Sequence, residues 1–496
     1  MLASLIEQWQ ILHQALAPLR LSRWQLVKLF AVQMNRDYPI ATKLGMATLP
    51  TLAFWAIFAV TRLKRLEKQL GLPVVSGSRT LENDFATVIE RGRQIYPQQP
   101  FIVNSSGRQF FVYPPSNFDG IKRLIEGEAS AQDFFYSSTY GYYTNVGLET
   151  PALWKTIGID LARAGPPVVT TKQKDARIAP DRYMARAGPA KLTMTTYFAV
   201  VFLTWMPRLM RPVLEPSALL PHLRVQPEMR RILEPIIKQD LDEWQVAKDK
   251  RELLRVTEGT CLPFNKWLIS RYAAGEATRH QLATDQIITA FESTVSTALV
   301  LYNVLFDLDV RPEVQDELRR EIAENTVESQ LPTTNLKELR IMDSVMRESF
   351  RVSPFALLSL YRITRKPLQL SSGPRLPAGT NICVDIQHIN NSSALFPSPH
   401  AYDPHRFLQK RAEPGSEHRH RFVSTGSADP NFGDGTQARP GRFWANITIK
   451  VCLTHVLSRY RVALPDGLAS RPQPVCLPNG SRVPDMKAKL LFQSLD

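Results

Sequence analysis

Cysteine is scarce in this chain: there are four among 496 residues, Cys261, Cys383, Cys452 and Cys476. No two form a CxxC pair, and the spacings suit neither a zinc site nor a disulfide framework, so all four read as free thiols of a cytosol-facing protein. Glycine is sparse beside proline, 23 against 37, which points to many rigid loops between helices. Acidic residues are outnumbered, 46 Asp and Glu against 61 Lys and Arg, for a net charge of +15. An excess of that size suits nucleic acid, an anionic membrane face or an acidic partner. The basic residues are spread along the chain, with no aromatic-interleaved patch and no nucleic-acid motif, so no nucleic-acid partner is expected and the membrane face is the better reading. No internal repeat is visible. With 44% hydrophobic and 22% charged residues the chain has the makings of a packed core.

Charge is missing altogether from residues 44–61, LGMATLPTLAFWAIFAVT. Eighteen residues is about the minimum for a bilayer-spanning helix, and Pro50 is tolerable inside one. Arg62, Lys64, Arg65 and Lys68 follow at once, which places the C-terminal side in the cytoplasm. Residues 1–43 form an extension ahead of this segment, which argues against a cleaved signal peptide. The alternative is a buried core helix. A linker, Gly71 to Gly77, separates the anchor from the rest, and no composition break divides 75–496, so one large domain is expected there. A second uncharged run, residues 192–207, is either another span or, with Pro207, Arg208, Arg211 and Pro212 at its end, a buried or membrane-dipping helix.

The pattern from about 284 to 325 is helical. DQIITAFESTVSTALVLYNVLFDL is apolar and too long for a strand, so it predicts a buried helix. Pro312 then opens PEVQDELRREI, with proline in its first turn. LKELRIMDSVMRESFR, residues 336–351, predicts another amphipathic helix. LLSLYRIT and NICVDIQ read as short strands, and FWANITIKVCLTHVLSRY as a last long helix. The fold class expected is mainly α with small β-sheets.

Three pieces then occur in order. Glu348 and Arg351 are three residues apart on a helix and can pair. Asp403-Pro404-His405-Arg406-Phe407 follows about fifty residues on. Last comes Asn431-Phe432-Gly433-Asp434-Gly435-Thr436-Gln437-Ala438-Arg439-Pro440-Gly441-Arg442-Phe443. Each is weak alone; together, ahead of a long apolar helix, they resemble the C-terminal signature of the cytochrome P450 family, ExxR, PxRF and FGxGxxxCPGRF. RPEVQDELRREI, LPAGTNI and ALFPSPHAYDPHRF carry the same likeness, which covers at least residues 284–465. The anchor suits a eukaryotic microsomal member, and the general style is similar to filamentous-fungal enzymes of secondary metabolism.

The resemblance implies a haem cofactor, a small lipophilic metabolite as substrate, NADPH-cytochrome P450 reductase as partner if the chain is active, and an endoplasmic reticulum membrane location, single-pass, with the domain in the cytosol. It implies that Glu348, Arg351 and Arg406 form a buried charge network behind the haem loop. Phe432, Gly433, Gly435 and Gly441 would shape that loop, and position 439 would hold the axial cysteine thiolate that favours O–O cleavage. This chain has Arg439, whose guanidinium has no free lone pair for iron, so no metal ligand is expected. The basic pair that helps hold a haem propionate is replaced by Thr436 and Gln437. The family's oxygen-activation motif falls on Glu292, Ser293 and Thr294, which either relay protons or bond back to their own helix. Ala290 and Phe291 are larger than usual there, and Phe291 would crowd the oxygen site. The stretch 164–195 is shorter than the family's roof over the pocket; either the roof is short or an exon is missing. Lys155, beside Trp154, stands nearest to the usual propionate-binding base.

These departures favour a P450-like protein that does not oxidise. The alternatives are a working haem-thiolate monooxygenase whose true residue 439 is cysteine, a haem-free enzyme using the apolar pocket, and a membrane scaffold.

Overall fold

In the computed structural model the chain divides into two units, residues 1–69 and 70–496, and the second carries the sheets and the cavity. The structure describes residues 61, 67–75, 85–105, 108–161, 211–249, 264–273, 275–328, 330–435, 438–465, 471–476, 480–483, 485 and 488–495. The segment 44–61, apart from Thr61, lies outside the described residues, as do 164–195, 192–207, Thr436 and Gln437.

Ten short strands lie among the described residues: β1 (Val74–Val75), β2 (Phe101–Ser105), β3 (Arg108–Tyr113), β4 (Ala129–Ser130), β5 (Leu358–Thr364), β6 (Asn381–Asp385), β7 (Tyr460–Ala463), β8 (Val475–Cys476), β9 (Arg482–Val483) and β10 (Leu491–Ser494). The first six form one sheet in the order β1-β2-β3-β6-β5-β4, built from two distant stretches of chain. β3 and β6 join the two stretches in parallel, with Val112 opposite Cys383. The strands read from LLSLYRIT and NICVDIQ are β5 and β6. Burial alternates along β5 from Leu358 to Thr364, as a strand with one face on the core requires. Its register shifts between Ser359 and Arg362, with Leu360 at φ 50°. A bulge of this kind re-aims the side chains beside it, and here Ser359, Leu360, Tyr361 and Arg362 all face one cavity. The other strands pair as two small antiparallel ribbons, β7 with β10 and β8 with β9.

The helices that frame the site are α1 (Phe85–Ile95), α2 (Ala131–Ser138), α3 (Pro151–Lys155), α4 (Arg211–Asp249), α5 (Phe264–Arg271), α6 (Arg279–Asp309), α7 (Pro312–Asn325), α8 (Arg340–Val352), α9 (Arg406–Ala412) and α10 (Arg442–Leu457). Their starts follow local chemistry. Ser130, Thr150 and Thr278 cap α2, α3 and α6 by accepting from backbone N–H groups three residues on. Proline stands in the first turn of α3 and α7, where its missing donor costs nothing. The helix expected from residue 336 begins instead at Arg340, after a 3₁₀ turn at Thr333–Lys337. Glu321 of α7 decides that start: its carboxylate accepts from Ile341 N and Met342 N at 2.6 and 2.9 Å, a cap supplied from a neighbouring helix.

The predicted apolar helix is α6, the one described helix long and apolar enough to cross a membrane. It lies instead in the core. Val304 and Leu308 pack with Leu318 of α7, Met342 and Val345 of α8, and Leu453 of α10. Each such side chain, fully withdrawn from water, stabilises the fold by about 1.5–3 kcal/mol. The mainly α architecture with small sheets thus matches the expectation.

Candidate functional site

Glu348 projects from α8 into the interior and is fully buried. Arg351, one turn on, donates to both its oxygens, Nε to Oε2 at 2.8 Å and Nη2 to Oε1 at 2.7 Å. Arg406, at the start of α9, donates from Nε to Oε1 at 3.1 Å, and Asp403 N reaches the same oxygen at 3.0 Å. The remaining guanidinium donors go to carbonyls: Arg351 Nη1 to Asn390 O and Pro399 O, both at 2.7 Å, and Arg406 Nη1 to Pro397 O at 2.6 Å. A carboxylate shared by two guanidinium forks, with the forks themselves satisfied, is the arrangement that makes such a buried set tolerable. The expected triad is therefore assembled.

A second buried network adjoins it, with no short-range signal in the sequence. Asp343 of α8 pairs with Lys450 of α10 at 2.9 Å and Arg411 of α9 at 3.3 Å, and accepts from Phe422 N at 2.8 Å. Burial pushes the Asp343 carboxyl up, but Lys450, Phe422 N–H and Arg411 together hold it below its ordinary value. Arg347 pairs with Asp429 at 2.6 Å and lies over the Phe407 ring at 4.3 Å. Together the two networks pin α8, α9 and α10 to the stretch leading into the glycine loop.

The loop itself keeps its expected shape. Phe432 is buried edge-on against Phe350 and Phe422, with ring centroids 5.0 and 5.2 Å away. Gly433 and Gly435 sit at φ 71° and 67°, a left-handed conformation that a β-carbon disfavours. A β-carbon on Gly435 would also meet Lys122 O at 3.1 Å. Asp434 between them accepts from Lys122 Nζ at 2.9 Å and Thr425 Oγ1 at 3.0 Å. Arg439 N donates to Phe432 O at 2.9 Å and closes the loop. Arg442 Nη1 donates to Arg439 O at 3.0 Å, and Gly441 is the N-cap of α10, in ordinary right-handed helical backbone.

This loop, β5, α2, α3 and the middle of α6 enclose a cavity of 1130 Å³. Arg439 projects into it. Its guanidinium lies over the Phe355 ring at 4.7 Å and the Phe135 ring at 5.9 Å. Burial lowers its pKa, against the opposing pull of Glu292 and Tyr361. Of the oxygen-activation positions, Glu292 and Ser293 line the cavity and Thr294 does not. Thr294 lies two residues past Glu292 on a continuous α-helix, about 200° round its axis, and its hydroxyl donates to Ala290 O at 2.6 Å. Its side chain thus bonds back to its own helix, outside the cavity lining that Glu292 and Ser293 share. Phe291 does face the cavity, as does Lys155.

Sequence reasoning missed Glu149. It stands just before α3, and its carboxyl is hydrogen-bonded to that of Glu292. Glu292 is exposed to the cavity that it lines. Burial first, then the negative charge of Glu149, push its pKa up to about 8, with Arg439 opposing. The folded protein thus holds a proton that the unfolded chain releases near pH 4.5. The stability this contributes is complete at low pH and is lost as pH rises to about 8. Glu292→Gln cannot ionise, so it is expected to raise the melting temperature relative to the parent more at about pH 8.5 than at about pH 5. Equal differences in thermal melts at the two pH values would contradict the raised pKa of Glu292.

The residues present fit a haem only in part. Arg362, 2% exposed, lines the cavity with its Nε and Nη2 unpaired, as a partner for a propionate would be, and burial lowers its pKa to about 10. The iron side does not fit. Among the described residues lining the cavity there is no cysteine, histidine or methionine. Cys383 is buried in β6, and Cys452 and Cys476 do not line the cavity. Tyr361 does line it, but its ring is stacked on Phe134 at 4.5 Å and burial drives its phenol well above its ordinary pKa. No step through an iron follows from this set of side chains.

Helical scaffold, charge network and glycine loop define a haem-monooxygenase type of fold. Residues 191–488 match the profile of the Cytochrome P450 family. The chain is 67% identical to cytochrome P450 monooxygenase phmB of Phaeosphaeria nodorum, over all of this chain and 89% of that one. It is 56% identical to cytochrome P450 monooxygenase ffsD of Aspergillus flavipes, over the whole of both, and 36% identical to pyrichalasin C-18 hydroxylase of Pyricularia grisea, over 98% and 97%. The chain belongs to the cytochrome P450 family.

Proposed function

We propose that this chain keeps the family's pocket for a lipophilic metabolite but, as it stands, performs no haem-thiolate oxidation. The observation that carries this reading is Arg439, a guanidinium where the axial thiolate would be, facing the cavity over Phe355. An always-protonated group offers iron no electron pair. Supplied with NADPH-cytochrome P450 reductase, NADPH and oxygen, the purified chain is expected to give no hydroxylated product from a lipophilic substrate that a relative hydroxylates. Turnover at a relative's rate would overturn the reading.

The chemistry abandoned is then hydroxylation of a secondary metabolite, as the name of the pyrichalasin relative suggests. Alignments with the first two relatives run over 532 positions for 496 residues of this chain, which fits the short 164–195 stretch. A second reading, a working haem-thiolate monooxygenase whose true residue 439 is cysteine, is favoured by one observation: the Glu348 network and the left-handed glycines are intact.

The protein's place is the endoplasmic reticulum membrane, held by residues 44–61 with the domain in the cytosol. A chain lacking residues 1–68 is expected to move largely from the membrane fraction to the soluble one. Equal partitioning of the two forms would refute the anchor.

A further inference from the structure

Arg439 presents its guanidinium to the cavity, where Glu292 and Tyr361 are the groups that act on its charge. Among the described residues none takes a hydrogen bond from its guanidinium and none forms an ion pair with it; its neighbours are the faces of Phe355 and Phe135. A guanidinium carries five N–H donors, and a charge withdrawn from water and left unmatched is costly. Groups of this kind in native proteins are satisfied by protein, water or ligand. The carboxyls best placed to answer it, Glu149 and Glu292, are hydrogen-bonded to each other. Arg362 adds unpaired donors in the same wall, at Nε and Nη2. Around the cavity six basic side chains face four acidic ones, and the lining is otherwise largely apolar. The chamber is therefore positive within and greasy around, and at 1130 Å³ it is as large as the sites that take sizeable small molecules.

We propose that Arg439 anchors the carboxylate of a lipophilic acid taken up in this cavity. The flat guanidinium fork matches a carboxylate edge in two-point fashion. The hydrocarbon body would lie along the apolar wall that includes Phe291, Phe355 and Leu358. The residue that removes iron chemistry from the site thus supplies a binding group in its place. This inference rests on the reading that no thiolate-bound haem fills the cavity.

The test uses full-length protein in a non-ionic detergent, with a fluorescent polyene fatty acid, cis-parinaric acid, and the corresponding alcohol as probes. An absorption scan comes first, because a porphyrin could also present carboxylates and would declare itself by its Soret band. A haem band of the thiolate type sinks the reading on which the inference rests, and the inference with it. In haem-free protein the acid is expected to bind at least tenfold more tightly than the alcohol, and Arg439→Met to bring the two together while the alcohol still binds. Equal affinities in the parent overturn the inference alone, as does an acid preference that survives Arg439→Met. Should Arg439→Met lose the alcohol as well, the ratio is read on Arg439→Lys, which keeps a point charge but not the fork. A several-fold fall in the ratio is expected there, and an unchanged ratio overturns the proposal.

Discussion

Arg439→Cys is expected to raise the haem content of the purified chain, though not to one haem per chain. The substitution removes a cation from the face of Phe355 and places a thiol on a loop whose shape is already set. That loop is closed by Arg439 N to Phe432 O at 2.9 Å, a backbone bond that any residue at 439 other than proline can make. Arg362 keeps two buried donors free for an anionic group. Recovery should remain below one haem per chain, because Thr436 and Gln437 carry no charge to set against a propionate. The triple change Thr436→Arg, Gln437→His, Arg439→Cys should recover more. Haem-to-protein ratios of purified variants check the order. A triple variant that folds and binds none would locate the loss elsewhere, with Phe291 in the cavity wall and the short 164–195 stretch as the first suspects.

Glu348→Ala is expected to be the most damaging single change to the fold. It leaves Arg351 and Arg406, 2% and 6% exposed, facing each other across the space the carboxylate filled, and it strips Asp403 N of its acceptor. Breaking a buried pair by removing one partner costs about 3–5 kcal/mol, a large share of the stability of any domain. The expected result is poor yield of folded protein, or a denaturant midpoint far below that of the parent. A variant as resistant as the parent would show that the triad is not a network that holds the loop. The neighbouring set around Asp343 and Lys450 ties the same helices together, so changes in the two networks should not add simply.

Much of this site could be read from residue order. Glu348 and Arg351 are one helical turn apart, and Arg406 follows in a motif of fixed kind, so the triad needed no knowledge of the tertiary fold. The glycines of the loop were legible because only certain positions demand a left-handed backbone. Other features depend on contacts between distant segments. Glu149 meets Glu292 across 143 positions of sequence, and Asp343 meets Lys450 across 107; nothing local to any of the four announces its partner. Arg362 owes its direction to a bulge in β5 that an alternating pattern does not reveal. Thr294 shows the converse: its hydroxyl suggested a relay, while helical phase turned it away from the cavity.

The central prediction is that Arg439 leaves this chain without a haem-thiolate centre. The most direct test is the absorption spectrum of the purified, unmodified protein, oxidised and then reduced under carbon monoxide. Sulfur donating charge to iron shifts the carbon monoxide band, and a guanidinium cannot do so. No band of the thiolate type is expected; such a band from the unmodified chain would contradict the prediction.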